Sequence, residues 1–318
     1  MEPVPYKSHK RKLTCPLNSV SKLNDKKLKI CCITYNMHGE NPTQQEVAQF
    51  LSPHKNYDIY AIGSEECLRS IFKSLFWSDK SSWENKLSNY FGNEYIKLNS
   101  VTLAAIHLII YVKYSLRNYI EFLGKNSVKT GAKNLLGNKG AVGIWFRIYN
   151  IKVLIINSHL AAKMNYSHKR NENFHRIMRN IYNNNRNRID YTIFMGDLNY
   201  RLNLQYPINI RDMENDYKKY LLYDQLYLEK RLNRLNLEGF QEGEIDFLPT
   251  FKFYNKTNIW ENTKPDNSPA WTDRILFMKR DTKFSVFDVI LRRYDSMPQL
   301  IMSDHKPVYA IFEFTIRI

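Results

Sequence analysis

The chain has 318 residues, 43% hydrophobic and 25% charged, which suits a soluble globular protein with one large domain or two ordinary ones. Its 47 Lys and Arg against 31 Asp and Glu give a formal net charge of +16, favouring an anionic partner such as a phosphate ester, an anionic lipid surface or a nucleic acid. No stretch approaches the roughly 20 apolar residues that span a bilayer, the polar, basic Met1–Thr14 predicts no secretory leader, and Thr315-Ile316-Arg317-Ile318 is no prenylation box.

In chain order, residues 1–27 read as a basic, mobile arm, and 28–318 as a single α/β domain. Eight runs rich in Ile, Val and aromatics predict strands: Lys29–Tyr35, Asp58–Gly63, Ala105–Val112, Ala141–Ile148, Lys152–Asn157, Tyr191–Met195, Ile275–Met278 and Pro307–Phe314. Helical spacing appears at Phe174, Ile177, Met178 and Ile181. It recurs at Tyr217, Leu221, Asp224 and Leu228, with Tyr220 and Leu235 extending that face. The Asn-rich 183–188 stretch reads as a loop, and there is no internal repeat. Cys15, Cys31, Cys32 and Cys67 lack paired metal-site spacing, and Cys31-Cys32 sits in an apolar run; a reduced, intracellular compartment is expected.

Polar groups gather where ordinary core strands have none. Thr34-Tyr35-Asn36, Ile62-Gly63-Ser64-Glu65-Glu66, Asn157-Ser158-His159 and Gly196-Asp197-Leu198-Asn199 end strands. Trp271-Thr272-Asp273-Arg274 begins one, and Ser303-Asp304-His305 precedes the last. Each alone is unremarkable, because Asp and Asn are common turn residues. Six together can converge on one cleft. The set is rich in oxygen ligands and has no Cys, which suits Mg²⁺ better than zinc. Gly137-Asn138-Lys139-Gly140 lacks P-loop spacing.

These sites, in this order, make the chain resemble the inositol polyphosphate 5-phosphatases of the DNase-I-like endonuclease/exonuclease/phosphatase superfamily. The matching segments are Asn157–Ala162, Gly196–Arg201, Pro269–Leu276 and Ser303–Val308; the last two set this family apart from the nucleases. Val128–Gly131, Leu136–Gly143 and Asp224-Gln225-Leu226 are most similar to the SHIP-type members, which act on phosphatidylinositol 3,4,5-trisphosphate. The resemblance covers about Lys29 to Phe314. It implies a four-layer α/β sandwich: two packed mixed β-sheets flanked by helices.

The resemblance also implies roles. Glu66 and Asn36 hold Mg²⁺, although on its own Asn36 reads as a strand-end turn. Asp197 is the base for the attacking water, with Asn199 orienting the water or a phosphoryl oxygen. His305 pairs with Asp273, and His159 contacts the scissile phosphate. Asp304 is left open between a metal ligand and a supporting group. Lys252, in Pro249-Thr250-Phe251-Lys252-Phe253, reads the 4-phosphate, with Lys264 and Asn267 as weaker candidates; Lys264 alone reads as solvated surface. Asn138 and Lys139 match a contact to the 1-phosphate, and Arg170 and Asn171 match a basic substrate segment.

Four residues depart from the family pattern. Phe251 replaces Tyr. Glu65 replaces Gln and is expected either to strengthen metal binding or to face solvent. His38 alters the segment after Asn36. Thr272 replaces Cys and reads as a packing change. The implied activity is Mg²⁺-dependent removal of a 5-phosphate from phosphatidylinositol 3,4,5-trisphosphate first, with phosphatidylinositol 4,5-bisphosphate or soluble inositol polyphosphates as further substrates. The rivals are a Mg²⁺-dependent nuclease and a non-catalytic phosphoinositide-binding module. A cytoplasmic monomer, peripheral on anionic membranes and without a nucleic-acid partner, is expected.

Overall fold

The computed structural model describes residues 25–51, 56–68, 80–131, 136–183, 189–235, 237, 239–280 and 287–317. Residues 1–24 of the expected arm and 184–188 of the Asn-rich stretch lie outside them. Asp25, Lys26 and Lys27, assigned to the arm by sequence, open the first strand.

Among the described residues, twelve strands form two six-stranded sheets. The first runs β11 (Phe287–Ser296), β12 (Val308–Arg317), β1 (Asp25–Asn36), β2 (Ile59–Glu65), β4 (Ile106–Lys113), β3 (Tyr95–Leu103). The second runs β5 (Ile120–Gly131), β6 (Leu136–Ile148), β7 (Ile151–His159), β8 (Tyr191–Asp197), β10 (Asp273–Lys279), β9 (Gln241–Glu242). Each sheet is antiparallel except for one central parallel pair, β1 with β2 and β7 with β8.

Side-chain alternation builds the four layers. In β1, Leu28, Ile30 and Cys32 enter the core between the sheets, while Cys31, Ile33 and Tyr35 pack outward. The outward set meets Val47, Phe50 and Leu51 of α1 (Gln44–Leu51) and Trp83, Leu87 and Phe91 of α2 (Ser81–Phe91). In β7, Val153 and Ile155 face inward, and Leu154 and Ile156 face outward. There they meet Phe174 and Ile177 of α3 (Ser167–Ile177). Strands covered on both faces need continuous apolar runs, and the sequence supplies them.

The spacing at Phe174–Ile181 is helical, with α3 passing into a π-helical turn over Met178–Asn183. The face drawn through Tyr217–Leu228 is not one helix. A 3₁₀ segment, Tyr217–Tyr223, stops at Asp224, whose side chain accepts a bond from the Tyr227 N–H and caps α5 (Gln225–Arg231). Asp224 is therefore a helix start, and a short α4 (Ile210–Asn215) precedes the 3₁₀ segment. No helix among the described residues is long and apolar enough to cross a membrane.

The inward rows change character at one rim. Leu28-Ile30-Cys32 continues to Thr34 and Asn36, Val153-Ile155 to Asn157 and His159, and Ile193-Met195 to Asp197. In the antiparallel β10, Asp273 precedes inward Ile275. Register then sets the neighbours: His159 lies beside Asp197, and Asp197 faces Asp273.

Gly196 permits this. Its φ is +138°, and a Cβ there would sit 1.9 Å from the Ser158 carbonyl oxygen of the parallel neighbour. Gly196→Ala should cost about 2–4 kcal/mol through strain and backbone overlap; thermal unfolding should show a midpoint several degrees lower, and an unchanged midpoint would contradict this packing.

Candidate active site

Asp197 is the hub. Its side chain is buried; Oδ2 accepts from Asn36 Nδ2 at 3.0 Å and lies 3.1 Å from His159 Nε2. Oδ1 accepts from the Asn199 backbone N–H at 3.1 Å. His305 Nε2 is 4.0 Å from Oδ2. Burial alone would push the Asp197 carboxyl up, but His159, His305 and Lys139 outweigh it and hold it well below the usual carboxylate range.

His305 Nδ1 donates to Asp273 Oδ2 at 2.9 Å. That same oxygen accepts from Thr250 Oγ1 at 2.7 Å and Thr272 Oγ1 at 2.8 Å. Thr272 is thus a hydrogen-bond donor to the pair and not the packing substitution read from sequence. Burial lowers the His305 pKa, but Asp273 chiefly, with Asp197 and Asp304, raises it to about 10. His305 is therefore an imidazolium whose Nε2 edge faces Asp197.

The sequence-predicted residues divide into three groups. Asn36, His159, Asp197, Asp273 and His305 meet as expected, with Glu66 Oε1 4.0 Å from His159 Nε2. Asn199 meets the site differently: its side chain accepts from Arg201 Nη2 at 2.7 Å and donates to the Leu160 carbonyl at 3.3 Å. It serves Asp197 through its backbone. Lys139 Nζ contacts His159 Nε2, which places it at the centre of the cluster. Burial lowers its pKa against the pull of Asp197 and Glu66. Asn138 is half-buried beside it, its Oδ1 without a partner.

Arg170 and Asn171 do not line a substrate surface. Arg170 is fully buried in α3 and donates to the carbonyls of Ala161 at 3.0 Å, Lys163 at 2.8 Å and Met164 at 3.3 Å, and to Gln225. Asn171 bonds Glu229 at 2.7 Å and the Tyr200 hydroxyl at 2.8 Å. Both hold the turn after β7 against α5, and Gln225 of the Asp224-Gln225-Leu226 segment belongs to the same network. Lys264 is exposed at the start of the Pro265–Asn267 turn.

Lys252 lies beside the site. Phe251 bridges to both Ala270 and His305, and its ring is 4.6 Å from the His305 ring. Lys252 Nζ is 3.3 Å from Glu261 Oε2 and 3.8 Å from Asp304 Oδ2. Asn267 donates to Glu261, so it joins this cluster through a carboxylate.

Glu65 does not face solvent, one of the two courses expected of it. It is fully buried on the inward row, accepts from Thr34 Oγ1 at 3.1 Å, and is pushed well above the usual range by burial and by Asp197 and Asp273. A protonated Glu has nearly the shape of Gln and no charge. Sequence reasoning also passed over Arg201, which donates to the Asn199 carbonyl and side chain and to the Asp266 carbonyl, and stacks 4.2 Å over Phe251. His38 was noted but given no role; its Nδ1 is 3.2 Å from Asp304 Oδ1, which draws the imidazole pKa upward. Asp304, held below the usual range mainly by the bond to His38 and by His305 against burial, is occupied by His38 and Lys252.

The donor set fits a hard divalent cation. Glu66 carries no hydrogen bond on its carboxylate among the described residues, and the neighbouring Asn36 Oδ1 accepts only from the His38 N–H. Asp197, Asp273 and His305 also lie within metal-binding distance of one another, but their atoms are engaged in the ion pair.

Because folding raises the His305 pKa, the pair stabilises the fold fully below the ordinary 6.5 and loses that contribution as pH climbs through about 10. Asp273→Asn should return the His305 midpoint toward neutrality and remove this alkaline loss. An imidazole NMR titration reads it directly; an unmoved midpoint would contradict the pairing.

The profile of the Endonuclease/Exonuclease/phosphatase family 2 matches residues 33–311. Type II inositol 1,4,5-trisphosphate 5-phosphatase of Mus musculus is 30% identical over 90% of this chain and 29% of its own length. Phosphatidylinositol 3,4,5-trisphosphate 5-phosphatase 2A of Danio rerio is 31% identical over 86% of this chain and 22% of its own length. The chain thus spans less than a third of either relative, and the near-equal identities do not single out the SHIP-type branch. The crystal structure of the inositol polyphosphate 5-phosphatase domain of SPsynaptojanin, in complex with inositol (1,4)-bisphosphate and calcium ion, superposes with a TM-score of 0.78 at 29% identity, covering 92% of this chain and 87% of that one. The fold is the expected pair of packed mixed sheets flanked by helices, and the chain belongs to the endonuclease/exonuclease/phosphatase family 2, with inositol polyphosphate 5-phosphatases among its relatives.

Proposed function

We propose that the protein is a Mg²⁺-dependent phosphomonoesterase that removes the 5-phosphate from phosphoinositides or soluble inositol polyphosphates, phosphatidylinositol 3,4,5-trisphosphate being the first substrate to test. The observation that carries this reading is the single rim on which Asn36, His159, Asp197 and the Asp273–His305 pair meet, with Lys252 on a hairpin docked against His305.

Each residue then has a chemical task. Asp197, kept ionised, accepts from Asn36, His159 and the Asn199 N–H, and its remaining lone pairs orient a water. So acidic a carboxylate takes a proton only late, once the water is bonding to phosphorus, and most of its effect is positional. His305, fixed by Asp273 and the two threonines, presents a charged Nε2–H to a phosphoryl oxygen. Lys139 and His159 add hydrogen-bond donors beside it. Glu66 and Asn36 would hold Mg²⁺, and positive charge for the phosphoryl oxygens is what the ion supplies when bound. Among the described residues no Cys belongs to the cluster, and Ser303 Oγ is engaged with the Asn36 carbonyl and the His305 N–H, which favours direct attack by water. Lys252 is assigned to the phosphate next to the scissile one, with Asn267 in the same cluster, Lys264 at its exposed edge, and Asn138 beside Lys139.

Phosphate release from a panel of inositol lipids and soluble inositol phosphates tests the reading. Activity should vanish in excess EDTA and return with Mg²⁺, and full turnover without the metal would sink the metal assignment. Asp197→Ala and His305→Ala should each lower turnover per folded molecule by orders of magnitude, the folded fraction of each being read by thermal unfolding. Lys252→Ala should lose about tenfold in kcat/KM on substrates that carry the 4-phosphate; an equal loss on substrates without it would remove Lys252 from that role. Hydrolysis of nucleic acid in place of inositol phosphates would replace this reading with a nuclease.

The +16 charge supports peripheral association of a cytoplasmic monomer with anionic membranes, each basic group near the surface contributing about 1 kcal/mol. Liposome sedimentation should show binding at low salt that falls at high salt, and salt-independent binding would contradict it.

A further inference from the structure

Lys252, the residue assigned above to the phosphate beside the scissile one, is not a free cation. It sits between two carboxylates, Glu261 at 3.3 Å and Asp304 at 3.8 Å, with its side chain three-quarters buried. We infer that Glu261 is a specificity-determining residue of this site: it holds the Lys252 ammonium as an ion pair and sets how strongly the site takes a second, neighbouring phosphate.

The placement of Glu261 is built in. Phe253 bridges to Trp260, their rings stacked at 5.5 Å, and the Glu261 N–H bonds the Lys252 carbonyl at 2.8 Å. That short hairpin puts residues 252 and 261 opposite each other. The base of the hairpin is fixed by the Phe253 N–H to the Asp304 carbonyl at 2.9 Å. Glu261 therefore meets Lys252 because of backbone pairing, not through a chance encounter of two surface side chains.

The two oxygens of Glu261 do different work. Oε2 faces Lys252. Oε1 accepts from Thr263 Oγ1 at 3.1 Å and from Asn267 Nδ2. Asp304 Oδ1 in turn lies 3.2 Å from His38 Nδ1, so Lys252 is not its sole partner. Glu261 is left as the nearer and less shared anion on Lys252. An incoming phosphate must compete with it for the ammonium. A dianionic phosphate that also reaches other donors can do so, while a singly charged or neutral substituent cannot. The site then has lower affinity than a bare lysine would give, and sharper discrimination.

The inference rests on the 5-phosphatase reading, and the test separates the two. Wild type, Glu261→Gln, Lys252→Met and the double variant are assayed on inositol 1,4,5-trisphosphate and on its analogue lacking the 4-phosphate. Gln keeps an acceptor for Thr263 and Asn267 and removes only the charge. Glu261→Gln should lower KM on the trisphosphate by about three- to tenfold with kcat little changed, the range expected for releasing a partly buried ion pair. On the analogue KM should move less than about twofold, because with the 4-phosphate absent no group competes with Glu261 for Lys252. In the Lys252→Met background the Glu261→Gln effect should disappear, which a merely structural Glu261 would not show. An unchanged or raised KM on the trisphosphate, equal changes on both substrates, or an effect that survives Lys252→Met overturns the inference while leaving the 5-phosphatase reading intact. A wild type that hydrolyses neither substrate overturns both. Thermal unfolding of each variant identifies any loss caused by misfolding, and a destabilised Glu261→Gln with unchanged KM counts against the inference.

Discussion

One hydrogen bond holds the rim together. Asn36 Nδ2 to Asp197 Oδ2, 3.0 Å long, joins the end of a strand in one sheet to the end of a strand in the other. Two packed sheets slide easily where only apolar side chains meet, since burial energy has little direction. A buried charge-assisted bond is directional, and leaving it unmade costs more than making it gains. Ser303 reinforces it by donating to the Asn36 carbonyl at 2.7 Å while accepting from the His305 N–H at 3.1 Å. Strand-end register thus fixes the positions of Asn36, Asp197 and His305 together. The core below stays apolar along the same inward rows, so fold and site are one pattern that changes composition only at its end.

The same pattern explains which strands the sequence reveals. All eight predicted strands exist, and together they make up the interior of both sheets. The four it missed, β3, β5, β9 and β11, are the four edges. An interior strand covered on both faces is apolar along most of its length, and Ile59–Glu65 and Tyr191–Asp197 are buried throughout, with polar groups gathered at their rim ends. An edge strand keeps one side in water. In β5 and β11 buried residues are few among exposed ones, and Glu121, Lys125, Arg292 and Arg293 interrupt the apolar signal. Such sequences resist edge-to-edge pairing and read as loops for the same reason. β9, with two residues, carries no pattern at all.

Legibility of the site follows a similar physical line. Asn36, Asp197, Asp273 and His305 were found because a polar residue at the end of an apolar strand has few other reasons to be there. Arg170 and Asn171 were misplaced because a helical Arg looks the same in sequence whether it faces a phosphate or three backbone carbonyls. Arg201 was passed over because, besides Asn199 two residues away, its partners are a backbone carbonyl 65 residues away and an aromatic ring, neither of which leaves a local signature. Glu65 shows the reverse problem: its formal charge suggested a contribution to metal binding or solvent, and burial between the sheets pushes its pKa well above the usual carboxylate range.

Charge itself works on two scales here. The chain carries +16, yet at the rim acidic and basic side chains are interleaved: Glu66, Asp197, Asp273, Asp304 and Glu261 lie among Lys139, His305, His38, Arg201 and Lys252. The excess cations lie outside this cluster. Long-range attraction of an anion is therefore a property of the whole surface, screened over about 10 Å at 0.1 M salt. Discrimination is a property of paired charges in a partly dry cleft, where salt reaches poorly. A substrate drawn in by the surface must still displace carboxylates from the cations it wants. On the proposed function, that separation would let a strongly basic protein be selective among anions, because Lys252 is already paired with Glu261 and Asp304.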